Sequence, residues 1–561
     1  MRKLRVLDVV APLMLLAIVV LGCSLRLRDP TSSPVVGAED PYTHLVFTKE
    51  ALARGYFGDS QWLGTSMYPP GLHALGGALA SDSGTPLYAW ILYAPLAFGA
   101  LAIVGMFALG NRLSGPAAGL VAALIVAVMP EHVFRSELYF PTALDLAVLP
   151  AFLYAFVVAT EPEATKAQRA GGAILFALLA ASLAFAHPWA VPLFLAPGAA
   201  WAALRIVRAK LPFREGVRRL TPAAVLAVAA TAFAVSSRWD HTDSGFASFF
   251  AHLGPLAILA KLPLPGPALF PVFLAVFALA AAPAVLVVAA LGAARAPRLV
   301  RVALAALCAV GALLVVPMLG AHPGPGINYR NMLGGAALEL GLVGLVVSFL
   351  APTAVGDMGL ALSAILYPLT AINLFESAFW PQRTVVYLGL GVALLCAGVA
   401  AALVQGILAW KPLRAPRRAA WVAPVATIAA VLLVAGAVNA APAKTYAWYR
   451  LYTNDEFGAI QATSALVDKD PSAHIMVYSW QPGLFLKAAG NPDQVRYCPA
   501  CYQDAGARSK ALAEHGGSTW YVVVDAYTDK DAAKGKADEG WVGGDLVESA
   551  GHWRVYRLGG S

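Results

Sequence analysis

The sequence predicts an all-α polytopic membrane protein with about thirteen transmembrane helices, followed by a small C-terminal α/β domain. Three observations predict it. Of the 561 residues, 59% are apolar and only 13% are charged, against roughly 25% charged in soluble domains. Apolar stretches of spanning length recur through residues 5–441, and a run of about 20 such residues crosses the hydrocarbon with its backbone hydrogen bonds satisfied internally. Beyond residue 443 the composition changes, and short apolar runs alternate with polar, helix-like stretches.

Taken in order, spans are expected near 5–25, 86–110, 115–130, 141–160, 170–186, 188–207, 220–237, 267–294, 299–320, 334–352, 357–376, 383–408 and 419–441. The first stretch, up to Cys23, has the basic-then-apolar make-up of a signal peptide. The many later spans favour an uncleaved first helix. With the N-terminus in the cytoplasm, the cytoplasmic segments carry 19 Lys and Arg residues and the external loops before the tail carry 9. The positive-inside rule therefore selects this orientation, and an odd number of spans puts the tail outside. The net charge of +8 is accounted for by these short loops, so no nucleic-acid partner is expected. The expected division is a membrane domain, 1–442, with an external loop at 26–85, and a soluble extracytoplasmic α/β domain, 443–561.

Within the tail, Ile475–Trp480, Trp520–Val524 and His552–Leu558 read as strands, and 455–468 and 506–514 as helices, with Asn454 at the first helix start. Cys23, Cys308 and Cys396 lie in spans and read as packing residues. Cys498 and Cys501 form C-P-A-C with no further ligand pair beside them. A local disulfide in an oxidising compartment is the expected use.

The polar residues of interest share the external side. Glu39, Asp40, Tyr42 and His44 stand together just past the first span. Carboxylate oxygens there suit Mg²⁺ or Mn²⁺, either of which neutralises a phosphate-bearing leaving group. Asp40 as a base toward an acceptor hydroxyl is a second use, and an Asp-Pro turn ahead of a helix over 44–54 is the structural alternative. Tyr68, before the Pro69-Pro70-Gly71 turn, faces the same side. The second external connection holds Arg135-Ser136-Glu137, and Asp145 follows about one turn inside the fourth span. A carboxylate at that depth is costly and marks a functional candidate by default. On one continuous helix Glu137 and Asp145 would stand about 12 Å apart along the axis, too far to share an ion. His187 lies between spans five and six, Arg330 precedes span ten, Glu339 sits inside it, and Arg383 opens span twelve. A guanidinium suits a phosphate or pyrophosphate.

Asp40-Pro41-Tyr42-Thr43-His44 resembles the D-P-x-x-H/N pattern of oligosaccharyltransferase catalytic subunits of the archaeal and bacterial single-subunit type, within the GT-C glycosyltransferases. Arg135-Ser136-Glu137 falls where that family has its second acidic motif, and Ser479-Trp480-Gln481-Pro482-Gly483 falls where it has the acceptor-binding W-W-D-Y-G. The tail keeps one Trp of that motif, and the second motif lacks adjacent carboxylates. The resemblance implies an enzyme that moves a sugar or oligosaccharide from a polyprenyl-phosphate or pyrophosphate donor to an acceptor protein, glycan or lipid. It implies Asp40 and Glu137 as catalytic and metal-binding residues with Mg²⁺ or Mn²⁺. Arg330, Arg383 and His187 would hold donor phosphate. Glu39, Tyr42, His44, Tyr68, Asp145 and Trp480 would line the acceptor side or pocket. A GT-C transferase that uses a lipid-phosphate monosaccharide with a glycan or lipid acceptor fits the same residues. A non-enzymatic transporter or flippase of lipid-linked glycans would spread charges along a path through several spans, whereas here they gather toward the external side. A hydrolase would need a G-x-S-x-G elbow or an H-E-x-x-H helix, and neither stands out.

Overall fold

The computed structural model describes residues 6–27, 39–208, 329–371, 381–409 and 454–558, apart from short interior stretches that include 56–58, 64, 67–70, 137, 162–163, 187–189, 479–482 and 526–543. Nine of the expected spans fall on described helices: α1 (Val6–Arg26), α4 (Leu87–Ser114), α5 (Pro116–Val128), α7 (Pro141–Thr160), α8 (Lys166–Ala186), α9 (Ala190–Arg208), α11 (Gly335–Leu350), α12 (Ala354–Ala371) and α13 (Pro381–Ala409). The spans expected near 220–237, 267–294, 299–320 and 419–441 lie outside the described residues. Four of the described helices are by themselves long and apolar enough to cross a membrane, and six if each of two bent pairs is one span. The chain is an integral membrane protein on that ground.

Two compact units divide the chain. The first holds 1–26, 95–137 and 141–443. Here α13 is the central helix, packed by α5, α11 and α12. In hydrocarbon, helices associate through close van der Waals packing, so small residues mark the contacts. Gly344 of α11 and Gly359 of α12 both press on the Leu395 backbone, where an added Cβ would come within 2.2 and 2.6 Å. The chain bends by 68° between α5 and a short helix, α6 (Pro130–Ser136), and by 117° between α11 and α12. Pro130 opens α6, consistent with proline's place at a first helical position.

The second unit joins 27–94 and 138–140 with 444–561. It contains α2 (Glu39–Arg54), a two-stranded hairpin of β1 (Asp59–Ser60) and β2 (Thr65–Ser66), and α3 (Gly71–Ser83). The tail follows with α14 (Asn454–Asp468), β3 (His474–Val477), β4 (Val495–Tyr497), α15 (Ala505–Ala513), β5 (Trp520–Asp525), β6 (Asp545–Ala550) and β7 (Trp553–Leu558). Its sheet runs β4-β3-β5-β7-β6, parallel over the first three strands and antiparallel over the rest. Alternation along the strands builds two faces. Met476, Tyr478, Trp520, Val522 and Tyr556 form one core with Cys501, against Ala507, Ala511 and Leu512. On α14, the Thr463 hydroxyl accepts from the indole of Trp553, which is buried. Cys498 and Cys501 form the expected disulfide, with Cα atoms 5.3 Å apart.

The C-terminal half of α2 is fixed to the tail by charged side chains. Lys49 donates to the carbonyls of Gly490 (2.7 Å) and Lys487 (3.3 Å), and Lys487 in turn donates to the Trp62 carbonyl. Arg54 reaches Asp493 at 3.6 Å. Buried Glu50 accepts from Ser60 and from the Gln61 amide, tying the hairpin to the same helix end. Burial pulls the Lys49 ammonium down to about 8 from its ordinary 10.5, with Asp468 partly offsetting it. Lys487 is pulled down as well, first by burial. Between about pH 8 and 10.5 the unfolded chain therefore keeps a proton that folded Lys49 has released. Stability of this unit rises with pH across that window, and the cost is fully present below it. Lys49→Met is expected to flatten the rise in melting midpoint between those limits, and a slope identical to that of the unaltered protein contradicts this placement.

Candidate functional site

The first acidic segment lies on α2. Glu39 and Asp40 occupy its first turn, where carboxylates are favoured by the helix dipole and where Pro41 lacks only a redundant donor. The helix thus begins five residues before the 44–54 helix of the Asp-Pro turn alternative. Positions 40, 44 and 48 follow at one-turn spacing. His44 and Thr48 are buried. Tyr42 is buried too, at 1% exposure, so it is a core side chain of this unit.

One functional candidate went unrecognised in the sequence: His73, on α3. His44 Nδ1 and His73 Nε2 stand 3.0 Å apart, with ring centroids 5.3 Å apart and nearly parallel. Both rings are buried, and Phe47 meets each of them edge-on. One ring must donate and the other accept, so the pair holds one shared hydrogen. Thr48 donates to the His44 carbonyl at 2.8 Å and lies 3.4 Å from the Tyr139 hydroxyl, which donates to the Leu72 carbonyl at 3.3 Å. Burial pushes the Tyr139 phenol far up, so it remains protonated. A Cβ at Gly76 would meet that hydroxyl at 2.0 Å, and glycine is what lets Tyr139 seat on α3. His73→Ala is expected to destabilise this unit by about 1–3 kcal/mol, the cost of a buried group losing its partner, read as a lowered denaturation midpoint.

The second acidic segment belongs to the first unit, where α6 carries it. Glu131 and Arg135 form an ion pair of 2.7 Å with both side chains almost fully buried. Arg26, counted in an external loop on sequence, is instead the last residue of α1 and is buried at 1% exposure. Its guanidinium donates to Ser136 Oγ (2.6 Å), to His132 Nδ1 (3.0 Å) and to the carbonyls of Gly22 (2.8 Å) and Ala127 (3.2 Å). The Ala127 carbonyl belongs to the unsatisfied last turn of α5, where a cation is favoured. Because a guanidinium only donates, His132 Nδ1 accepts and its hydrogen sits on Nε2. That nitrogen is buried and has no hydrogen-bond partner among the described residues.

Asp145 is wholly buried on α7 and accepts a 2.7 Å hydrogen bond from Tyr387 of α13. This bond joins two helices of the first unit. Arg330 is exposed and lies 3.4 Å from Glu339, itself exposed on α11. Arg383 lies in the first turn of α13, and its side chain, like those of Glu39 and Asp40, is outside what the structure describes. Glu137, Tyr68, His187 and Trp480 lie outside the described residues altogether. Among the described residues no group of three His, Cys, Asp or Glu side chains is arranged to hold a metal ion. Asp40 and Glu137 carry hard oxygen donors, of the kind that suits Mg²⁺ or Mn²⁺.

No known family profile and no curated protein sequence matches the chain. Solved structures do. The apo oligosaccharyltransferase of Archaeoglobus fulgidus superposes with a TM-score of 0.59 at 14% identity, over 94% of this chain and 71% of that one. The same organism's oligosaccharyltransferase AglB, in complex with an inhibitory peptide and a dolichol-phosphate, gives 0.56 at 15% identity, over 92% and 70%. The A. fulgidus enzyme in complex with zinc and sulfate gives 0.55 at 16%, over 91% and 68%. Likeness over nearly the whole chain gives this protein the fold of the archaeal oligosaccharyltransferase.

Proposed function

We propose that the protein is a membrane glycosyltransferase of the GT-C type. It moves a sugar or oligosaccharide from a polyprenyl-phosphate or pyrophosphate donor to an acceptor on the extracytoplasmic side. The observation that carries this reading is the fold shared with the A. fulgidus oligosaccharyltransferase over 94% of the chain. The dolichol-phosphate and peptide bound to that relative support a polyprenyl carrier and a polypeptide acceptor here. The 19-to-9 distribution of Lys and Arg and the Cys498–Cys501 disulfide both support a tail on the oxidising, extracytoplasmic side.

In this reading Asp40, in the first turn of α2, and Glu137, just past α6, hold a divalent ion, which would neutralise charge on the leaving phosphate. The zinc and sulfate of the relative support a cation and an anion subsite in the same fold. The chain's own residues bind and orient. Arg330, Arg383 and His187 serve the donor phosphate, and the Trp480 segment serves the acceptor. The departure of Trp480-Gln481-Pro482-Gly483 from the W-W-D-Y-G pattern favours a second reading, a glycan or lipid acceptor with a lipid-phosphate monosaccharide donor.

The test is incubation of purified full-length protein with dolichyl- and undecaprenyl-linked mono- and oligosaccharides. Each is paired with an Asn-x-Thr peptide or a lipid extract, with and without Mn²⁺, and products are read by mass spectrometry. Glycosylated peptide is the expected product. Transfer to lipid alone selects the second reading, and no transfer from any donor sinks both.

A further inference from the structure

We propose that Arg26 is the positioning residue of the second acidic segment, acting through His132 and Ser136 to hold α6 in the orientation that transfer requires. The proposal rests on the reading of the chain as a glycosyltransferase and goes beyond it, because Arg26 belongs to neither acidic motif.

Four helices of the first unit meet at this guanidinium. It leaves the last residue of α1, binds the Ala127 carbonyl at the end of α5, and binds the side chains of Ser136 and His132 on α6. Gly99 of α4 makes room for it: a Cβ there would lie 2.3 Å from Arg26 Nε and 2.5 Å from Cδ. Ser136 accepts from Arg26 and passes its own hydrogen to the His132 carbonyl at 2.6 Å, so the bonds run on into the α6 backbone. The 68° bend between α5 and α6 leaves only Met129 between the two helices, and the Arg26 fork spans that bend from the inside. A planar five-donor fork can serve two carbonyls, a hydroxyl and an imidazole at once, which an ammonium cannot. Glu137 is the next residue in sequence after Ser136, so what pins α6 bears on the segment read as the second acidic motif.

Two variants disturb this hub from different helices without touching either acidic motif. Arg26→Lys keeps the charge and loses the fork. Gly99→Ala keeps Arg26 but displaces its guanidinium, and alanine favours the helix at that position. Hydrogen–deuterium exchange of the full-length protein reads the hold directly. Both variants are expected to speed exchange over 131–136 by at least about tenfold while α8 and the tail sheet stay unchanged. Steady-state transfer with the active donor and acceptor pair reads the consequence. The expected result is a fall in kcat of roughly 10²-fold, the scale of a displacement of about 1 Å near the chemistry, with acceptor KM within about twofold. A residue that only stabilised the fold would lower the active fraction and leave the kcat of the folded molecules intact, so kcat is normalised to folded protein. Unchanged exchange overturns the proposal, as does faster exchange with unaltered kcat. If the unaltered protein itself transfers nothing, the functional reading fails first and takes this proposal with it, a result separable from failure of the variants alone.

Discussion

Asp40→Ala is expected to abolish transfer, lowering kcat by at least about 10³-fold, the scale of the several kcal/mol of charge stabilisation lost with a ligand of the divalent ion. The physical reason for a clean separation of activity from folding is the residue's place. Asp40 stands in the first turn of α2, where a carboxylate contributes about 0.3–1 kcal/mol through the helix dipole and alanine is the best helix former. The described buried residues of α2 run from Pro41 to Ala51. The variant should therefore insert, fold and melt within a few degrees of the parent. Mass spectrometry of products together with a thermal melt in detergent checks both halves. A fully active Asp40→Ala protein would remove the first acidic segment from the mechanism.

Arg135→Ala is expected to have the largest effect on stability, about 3–5 kcal/mol, because it leaves the Glu131 carboxylate buried without its cation. The pair is 2.7 Å long, with side-chain exposures of 6% and 1%, so water cannot take the place of the guanidinium. Replacing both residues by methionine should recover most of the loss, since two apolar side chains leave no stranded charge. Denaturant melts of the two single variants and the double variant give the coupling directly. Additive losses would show that the two charges do not depend on each other.

Much of this was legible in the sequence, for a physical reason in each case. Long apolar runs must be helices in lipid, so nine expected spans coincide with described helices. Tail strands β3 and β5 are buried along most of their length and read as apolar runs, and β7 falls in the closing His552–Leu558 segment. Strands β4 and β6 escaped notice. They are the two sheet edges, and Val495-Arg496-Tyr497 and the largely exposed Asp545–Ala550 carry too few buried side chains to show a pattern. Helix α6 escaped because seven residues with proline first look like a connection.

The candidate site was legible only where its chemistry is local. The Asp40 segment packs its carboxylates and His44 into six residues. The partner of His44 lies 29 residues away, and only the packing of α2 on α3 brings His73 to it. Arg26 was misread for a different reason: a basic residue at the end of a span normally snorkels to the interface, while this one turns inward. A carboxylate such as Asp145 inside a span is costly, and the Tyr387 hydroxyl that donates to it comes from 242 residues further along.

The attachment of α2 to the tail bears on how this molecule can be taken apart. Lys49 and Arg54 reach Lys487, Gly490 and Asp493, more than 400 positions downstream. Deleting everything beyond the last span would take from Lys49 its carbonyl partners Lys487 and Gly490 and from Arg54 its contact with Asp493, on the helix that carries Asp40. A truncated membrane portion is accordingly a poor reagent, and the excised tail would lack part of its own wall. Co-expressing residues 1–443 and 444–561 as separate polypeptides is the better dissection, because fragment complementation would let the severed pieces find each other through these same bonds.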